Sequence, residues 1–206
     1  MRLVEISRGG KPAPKKNYVL VTVTIMAMLV FSAPVSSNTP TSEQWWNSRY
    51  TQDLLVQTRR MGRLVEHIAN RFPVNKNQAR RIVSEAFRQG SAGDLAPELV
   101  LAVIAVESTF RPRVVSHAGA RGLMQIIPKW HPDTIAEIGG ANALFDPNKN
   151  IQAGVRILAE YLDAQDGNLR KALLRYNGSH RNPRSPYADK VLGQYENLLV
   201  VATLGS

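Results

Sequence analysis

The chain contains no cysteine among its 206 residues, so neither a disulfide framework nor thiolate catalysis is available to it. A lipid-anchored bacterial lipoprotein is therefore not expected, because its lipid is attached to an N-terminal cysteine. A chain of this length can bury enough apolar surface to fold without cross-links. The absence is therefore compatible with an exported protein.

Acidic residues are scarce: 16 Asp and Glu stand against 26 Lys and Arg, for a formal net charge of +10. Residues 1–17 hold five basic residues and one acidic residue, which contributes +4. A basic balance suits an anionic partner. However, neither a DNA-reading basic helix nor interleaved basic and aromatic residues occur, so nucleic acid is not expected as a partner. The four histidines lack the spacing of metal ligands, so no metal or other cofactor is expected. They are His67, His117, His131 and His180.

Uncharged apolar runs are also scarce, and the clearest one, Tyr18–Phe31, has 14 residues. It follows the basic start and precedes a stretch rich in small residues and proline, which is the order of a secretory signal. A spanning helix needs ~20 apolar residues, which the run approaches only if extended to Val35. Residues 1–37 are therefore expected to be a signal peptide cleaved after Ser37 or a retained anchor. Either would place the rest outside the cytoplasm, because the positive charge stays inside.

No segment alternates apolar and polar residues over a strand's length, whereas helical spacing recurs. Residues 38–50 are interpreted as a linker opening into a helix near Trp45. A second helix begins after the N-cap Asn75, with Gln78 at the capping-box position, and is expected to end at Gly90. Further helices are predicted to begin at Pro97, at Pro147 after the cap Asp146, at Asn168 and at Ser185–Pro186. The sequence thus predicts a single all-α domain.

The helix that begins at Pro97 is apolar on almost every side, which places it at the centre of the domain. Glu107 lies at its C-terminal end, where the helix dipole disfavours an anion. Apolar surroundings raise a carboxyl pKa, and a carboxylic acid that stays protonated near neutral pH can act as a general acid. The alternative is a surface ion pair of Glu107 with Arg111 or Arg113.

The segment after Glu107 combines polar groups, glycines and apolar side chains. Gly119 and Gly122 allow tight turns and a close approach of the backbone to a ligand. Ser116 and Gln125 provide hydrogen-bonding groups beside an apolar Leu-Met pair. Such a mixture suits a sugar, which has polar edges and apolar faces.

Together these motifs resemble the lytic transglycosylases of the soluble-lytic-transglycosylase (SLT) type. The order is Glu-Ser closing an apolar helix, then Ser-His-Ala-Gly-Ala-Arg-Gly-Leu-Met-Gln, then Tyr-Asn-Gly, then a Tyr heading the last helix. The resemblance covers about residues 95–195 and implies a lysozyme-like fold. Residues 95–200 would form the catalytic domain, on which helices of residues 51–94 would pack.

The resemblance also implies a chemistry and a location. Glu107 would be the catalytic acid and base that cleaves the β-1,4 bond between N-acetylmuramic acid and N-acetylglucosamine, leaving a 1,6-anhydro end. The residues that would line the glycan groove are Ser116, Gln125, Tyr176, Asn177 and Tyr187, with Tyr187 near Glu107. The implied partners are the glycan strands of peptidoglycan, and the implied location is the bacterial periplasm or cell envelope. A monomer is expected, with inner-membrane association through the N-terminal apolar segment if that segment is retained.

The chain departs from the resembled family in one motif, and two other functions stay open. The family commonly has Ala-Tyr-Asn-Ala-Gly where this chain has Arg175 to Ser179, Arg-Tyr-Asn-Gly-Ser, which leaves its preference among substrates open. The first alternative is a muramidase that uses water, as goose-type lysozymes do on a similar fold. The second is a non-catalytic glycan-binding module.

Overall fold

The computed structural model describes residues 42–204, with side chains from residue 49 onward, so the predicted signal or anchor lies outside the described residues. The helices of the described range are α1 (Ser42–Arg71), α2 (Lys76–Ala92), α3 (Pro97–Ser108), α4 (Pro132–Glu137), α5 (Pro147–Asp163), α6 (Leu169–Tyr176) and α7 (Tyr187–Leu204). Short 3-10 helices span Pro128–Trp130 and Ala141–Phe145. Between residues 42 and 204 there is no strand, only isolated bridges around Arg121. The predicted all-α class is confirmed. None of the described helices has both the length and the hydropathy needed to cross a bilayer.

Helix α1 corrects the predicted linker. It begins at Ser42, about one turn before the start predicted near Trp45, so residues 42–50 of the predicted linker are helical. The reason is visible in the sequence: neither Gly nor Pro occurs between Ser42 and Met61, so no residue there interrupts the helix.

Helix α2 begins as predicted and ends later than predicted. The Asn75 side chain accepts a hydrogen bond from the backbone N–H of Gln78 at 2.9 Å, which confirms Asn75 as the N-cap. The helix continues through Gly90 to Ala92 and is capped by Gly93, so the predicted end is wrong. Gly90 is required for a different reason: a Cβ there would lie 2.6 Å from the carbonyl oxygen of Leu95. The glycine allows the chain leaving α2 to fold back closely.

Helix α3 forms the centre of the core. Its residues 98–105 are all buried, including the N-terminal Glu98, and it packs chiefly against α7 and α2. Pro97 is the first residue of α3. Proline is favourable at this position because the N–H that it lacks would have no hydrogen-bond partner within the helix. An apolar helix of this kind must be covered on all sides, and the surrounding helices provide that cover.

Two arginines of helix α1 join it to α3 and α7. The guanidinium of Arg60 donates to both carboxylate oxygens of Glu98, at 2.6 and 2.5 Å, and the Glu98 side chain is fully buried. Arg63 donates to the carbonyl oxygen of Ala202 near the end of α7. Both arginines therefore have a structural role, since each holds α1 on the core.

Helices α5, α6 and α7 cover the remaining sides. The Asp146 carboxylate accepts hydrogen bonds from the N–H groups of Asn148 and Lys149, which confirms it as the N-cap of α5. Asn168 caps α6 in the same way. Helix α6 packs against α5 and α7, which brings the Tyr-Asn-Gly motif at its C-terminal end beside the end of α3.

Candidate active site

The site is organised around the C-terminal end of α3, where the chain turns sharply. Glu107 is the penultimate residue of the helix. Thr109 and Phe110 follow with φ of 49° and 62°, a left-handed conformation that side-chain-bearing residues rarely adopt in succession. Phe110 is fully buried, and its ring lies 4.7 Å from that of Phe72. Core packing thus holds a strained turn that directs the chain away from Glu107.

The surface ion pair considered for Glu107 is not formed. Arg111 donates instead to the carbonyl oxygen of Ser108 and to the hydroxyl of Thr109, both at 3.1 Å. Arg111 therefore caps the free carbonyl end of α3, where a cation is favourable. No arginine or lysine neutralises the Glu107 carboxyl among the described residues.

The partner of Glu107 comes from the other end of the domain. The hydroxyl of Tyr187, the first residue of α7, donates to Oε1 of Glu107 at 2.6 Å. Burial raises the pKa of Glu107 to about 7, although the hydrogen bond from Tyr187 opposes that increase. A carboxylic acid with such a pKa is partly protonated at neutral pH and can both give and take a proton there. The expected proximity of Tyr187 and Glu107 is thus present in the structure.

The Gly-Leu-Met-Gln loop is held in place by one buried amide. Asn150 on α5 accepts a hydrogen bond from the N–H of Met124 at 2.8 Å. Its amide nitrogen donates to the carbonyl oxygens of Arg121 and Leu144, both at 2.9 Å. Gly122 has a φ of 76°, and a Cβ there would collide with Asn150 and with the Leu144 carbonyl. Glycine is therefore required at position 122 both by its conformation and by the close approach.

The same loop is joined to α6 through Tyr176. The hydroxyl of Tyr176 donates to the carbonyl oxygen of Met124 at 2.8 Å. The Met124 side chain packs against Gly154 so closely that a Cβ at position 154 would collide with its sulfur. Gln125 follows with a φ of 49°, and its amide nitrogen donates to the carbonyl oxygens of Val114 and Gly122. Contacts with α5 and α6 thus set the position of the loop.

A cavity of about 860 Å³ opens in front of Glu107. Its lining comprises Glu107, Ser116, Ala118, Ala120, Gln125, Ile126, Ile127, Trp130, His131, Ile157, Tyr161, Arg175, Tyr176, Asn177, Gly178 and His180. Five of the six predicted site residues are among them. The sixth, Tyr187, is only 8% exposed and reaches Glu107 from the interior instead of lining the cavity. Tyr187 begins α7, and its ring is packed in the core of the domain. It therefore does not line the groove as expected.

Several lining residues had not been predicted. Trp130 is 67% exposed at the cavity, on a 3-10 turn between two prolines. Tyr161 follows Ile157 by one helical turn on α5, and its ring lies 6.2 Å from that of His131. The helical spacing of Ile157 and Tyr161 was a usable signal, whereas nothing local indicates that residues 130 and 131 face the same cavity.

Glu107 is the only carboxylate that lines the cavity in the described part of the chain. Acidic residues near this part of the chain have different contacts. Glu137 is ion-paired with Arg156, and Asp146 caps α5. The cavity thus offers one proton-transferring carboxyl together with hydroxyl, amide and aromatic groups, a lining that suits a carbohydrate.

Comparison with known proteins connects this geometry to a family. The chain is 34% identical over 135 residues to the soluble lytic murein transglycosylase of Escherichia coli K12, which covers 63% of this chain and 19% of that protein. It is 42% identical over 85 residues to a transglycosylase of Enterobacteria phage PRD1, covering 41% of this chain and 30% of the relative. The chain therefore spans only about a fifth to a third of the length of these relatives.

The fold has a counterpart among solved structures. It matches the X-ray structure of an inactive mutant of the lytic transglycosylase Slt from Pseudomonas aeruginosa with a TM-score of 0.50 and 22% identity. The match covers 67% of this chain and 25% of that one. The sequence model of the transglycosylase SLT domain matches residues 85–191, which is just over half of the chain and includes every cavity motif described above. The chain therefore belongs to the transglycosylase SLT domain family.

Proposed function

We propose that this protein is a peptidoglycan lytic transglycosylase, which cleaves the bond between N-acetylmuramic acid and N-acetylglucosamine without water. The observation that carries this proposal is Glu107, a single carboxyl in a carbohydrate-like cavity whose pKa of about 7 lets it act first as an acid and then as a base. Membership of the SLT family and the relatives named as murein transglycosylases support the substrate.

In the first step the protonated Glu107 donates its proton to the oxygen that leaves N-acetylmuramic acid, and the bond from C1 to that oxygen breaks. The acetamido oxygen of the same sugar attacks C1 and stabilises the positive charge that develops there. Tyr187 holds the Glu107 carboxyl through its 2.6 Å hydrogen bond and stabilises the carboxylate left after proton transfer.

In the second step the Glu107 carboxylate takes the proton from the muramoyl 6-hydroxyl. That oxygen bonds to C1, the bond from C1 to the acetamido oxygen breaks, and a 1,6-anhydro sugar is released. Glu107 is protonated again and no water has been consumed. The sequence of proton transfers requires one carboxyl, which agrees with the lining of the cavity.

The carboxyl count favours this reaction over hydrolysis. Hydrolytic glycosidases generally use two carboxyls that are ~5–9 Å apart. In the described part of the cavity Glu107 has no second carboxyl beside it. Mass spectrometry of soluble fragments released from purified sacculi distinguishes the two, because a hydrolytic product is heavier by one water molecule. We expect anhydro ends, and fragments with reducing ends alone would refute the proposal.

Replacement of Tyr187 by Phe tests the proposed support of Glu107. The hydrogen bond lowers the pKa of Glu107, so its loss is expected to move the basic limb of the pH–rate profile upward. Hydrogen bonds to charged groups contribute ~1.5–3 kcal/mol, so kcat should fall roughly 10- to 100-fold while KM changes little. If Tyr187 only packed its ring in the core, the variant would have an unchanged kcat and an unchanged pH profile.

Two further variants serve as comparisons for Tyr187→Phe. Tyr195 lies on the same helix, packs against the core and does not line the cavity, so Tyr195→Phe should leave kcat and the pH profile unchanged. Gln125→Ala removes two hydrogen bonds that hold the cavity loop, so we expect both kcat and KM to worsen. An effect of Gln125→Ala on kcat alone would contradict a role in substrate binding.

The proposed location is the bacterial cell envelope, where the substrate lies. Residues 1–37 are proposed to export the chain, after which they are removed or anchor it in the inner membrane. The basic start and the uncharged run Tyr18–Phe31 support this. N-terminal sequencing of protein recovered from the envelope decides between cleavage and anchoring, and recovery from the cytoplasm alone would contradict both.

A further inference from the structure

The cavity wall formed by α5 and α6 carries an arginine whose guanidinium has no acceptor in the described part of the chain. Arg175, in the last turn of α6, lines the cavity and is exposed. Its guanidinium carbon lies 5.7 Å from the centroid of the Tyr161 ring. Tyr161 in turn contacts the His131 ring edge. The aromatic stack restricts the arginine side chain, which reduces the entropy lost when it binds a ligand.

Other arginines on the same two helices are neutralised. Arg170 of α6 is ion-paired with Asp189, and Arg156 of α5 with Glu137 and Glu160. In contrast, no hydrogen bond or ion pair connects the guanidinium of Arg175 to any described residue. A guanidinium presents five N–H donors in a planar fork that matches a carboxylate, so Arg175 faces the cavity with this capacity unused.

The cavity lining as a whole favours an anionic ligand, as Arg175 alone does. Arg175 is its one arginine or lysine, and Glu107 is its one carboxylate in the described range. Because burial raises the pKa of Glu107 to about 7, that carboxyl is largely neutral in mildly acidic solution. The cavity then carries net positive charge and attracts an anionic group.

We propose that Arg175, stacked on Tyr161, binds a carboxylate of the muramoyl unit and makes this site selective for acidic glycan strands. This rests on the proposed function, which supplies the glycan. Two sources supply such a carboxylate. The first is the lactyl group of N-acetylmuramic acid, whose carboxylate is free when the stem peptide has been removed, and the second is the stem peptide itself.

The test uses glycan strands of equal length in three forms: with stem peptides, with stems removed so that the lactyl carboxylates are free, and with those carboxylates converted to neutral methylamides. Binding is measured by fluorescence anisotropy with Glu107→Gln protein, so that strands stay intact. The Arg175→Gln change in that background is expected to raise Kd roughly tenfold for an acidic form and less than twofold for the neutral form, given the usual strength of charged hydrogen bonds.

The pattern over the three strands identifies the source of the carboxylate. If Arg175→Gln weakens binding of the strands with free lactyl groups, the lactyl carboxylate is the ligand of Arg175. If it weakens binding only of the strands with stems, a carboxylate of the stem peptide is the ligand. Arg175→Lys keeps the charge but not the fork and should recover part of the affinity. Arg181→Gln is the matched control: it removes one charge from an exposed residue outside the cavity lining and should leave every Kd unchanged.

An equal loss on all three strands, or a loss on none, would overturn the proposal. The measurement is independent of turnover, so it separates the two hypotheses. If sacculi yield only reducing ends, the transglycosylase reaction is refuted. A decrease in affinity confined to the acidic strands would still support the role of Arg175. If anhydro ends form but the effect of Arg175→Gln on Kd does not depend on the carboxylates, the proposed reaction is supported and the proposed role of Arg175 is refuted.

Discussion

Replacement of Glu107 by Gln is expected to lower turnover of peptidoglycan by at least ~10²–10⁴-fold. Gln can neither give nor take a proton, so both proton transfers of the proposed reaction are lost. Its amide oxygen can still accept the hydrogen bond from Tyr187, so the cavity should keep its shape. Binding of glycan strands is therefore expected to survive, and release of soluble fragments from sacculi measures the loss.

The same substitution should stabilise the fold in a pH-dependent way. The pKa of Glu107 is raised from 4.5 to about 7 in the native state. Between these values the native protein holds a proton that the unfolded chain has released, so rising pH lowers the stability of the wild type across this window. Gln does not titrate. The difference in Tm between the Glu107→Gln variant and the wild type should therefore begin to increase above pH 4.5, increase up to about pH 7 and stay constant at higher pH.

The pH dependence of the wild-type reaction follows from the same group. The first step requires protonated Glu107, so kcat/KM should fall as pH rises through about 7. Asp133→Asn is a suitable control, because Asp133 is exposed on α4 and does not line the cavity. Activity of the Glu107→Gln protein within a few-fold of the wild type, or a Tm difference that does not vary with pH, would contradict the assignment of Glu107.

The largest effect on stability is expected from Arg60→Ala. The Glu98 side chain is fully buried, and Arg60 donates to both of its oxygens. Removal of Arg60, whose own side chain is 36% exposed, leaves the buried Glu98 carboxylate without its partner. Loss of one partner of a fully buried pair costs ~3–5 kcal/mol, and this partly buried pair is expected to lie at the lower end of that range. For a domain of this size each kcal/mol lowers Tm by about 2–4 °C, so a decrease of roughly 10 °C is expected. Thermal unfolding followed by circular dichroism measures it.

Two comparisons distinguish the buried pair from a general loss of arginine. Arg170→Ala breaks the exposed pair with Asp189 and should change Tm by little, because exposed pairs contribute ~0–1 kcal/mol. Replacement of both Arg60 and Glu98 by Leu removes the buried charge and should recover much of the lost stability. If Arg60→Ala were no more destabilising than Arg170→Ala, the pair would not hold α1 on the core.

Local sequence patterns predicted most helices and their caps. Asn75 and Asp146 were identified correctly because a cap depends on the backbone N–H groups two or three residues further along. The same kind of pattern gave a wrong helix end at Gly90, since α2 continues to Ala92. Whether a glycine ends a helix or admits a neighbouring chain depends on what lies against it, and the Leu95 carbonyl lies there.

The sequence by itself determined the all-α class, the central apolar helix, Glu107 as the candidate acid and the family resemblance, since each depends on residue types at short spacing. Only the tertiary structure decided what Glu107 contacts. Its partner Tyr187 is 80 residues away, and that hydroxyl reaches the carboxyl from the interior rather than from the groove. The loop beside it is held by Asn150, 26 residues beyond Met124. Such pairs form where helices pack, and a short-range pattern carries no information about which distant side chains that packing brings together.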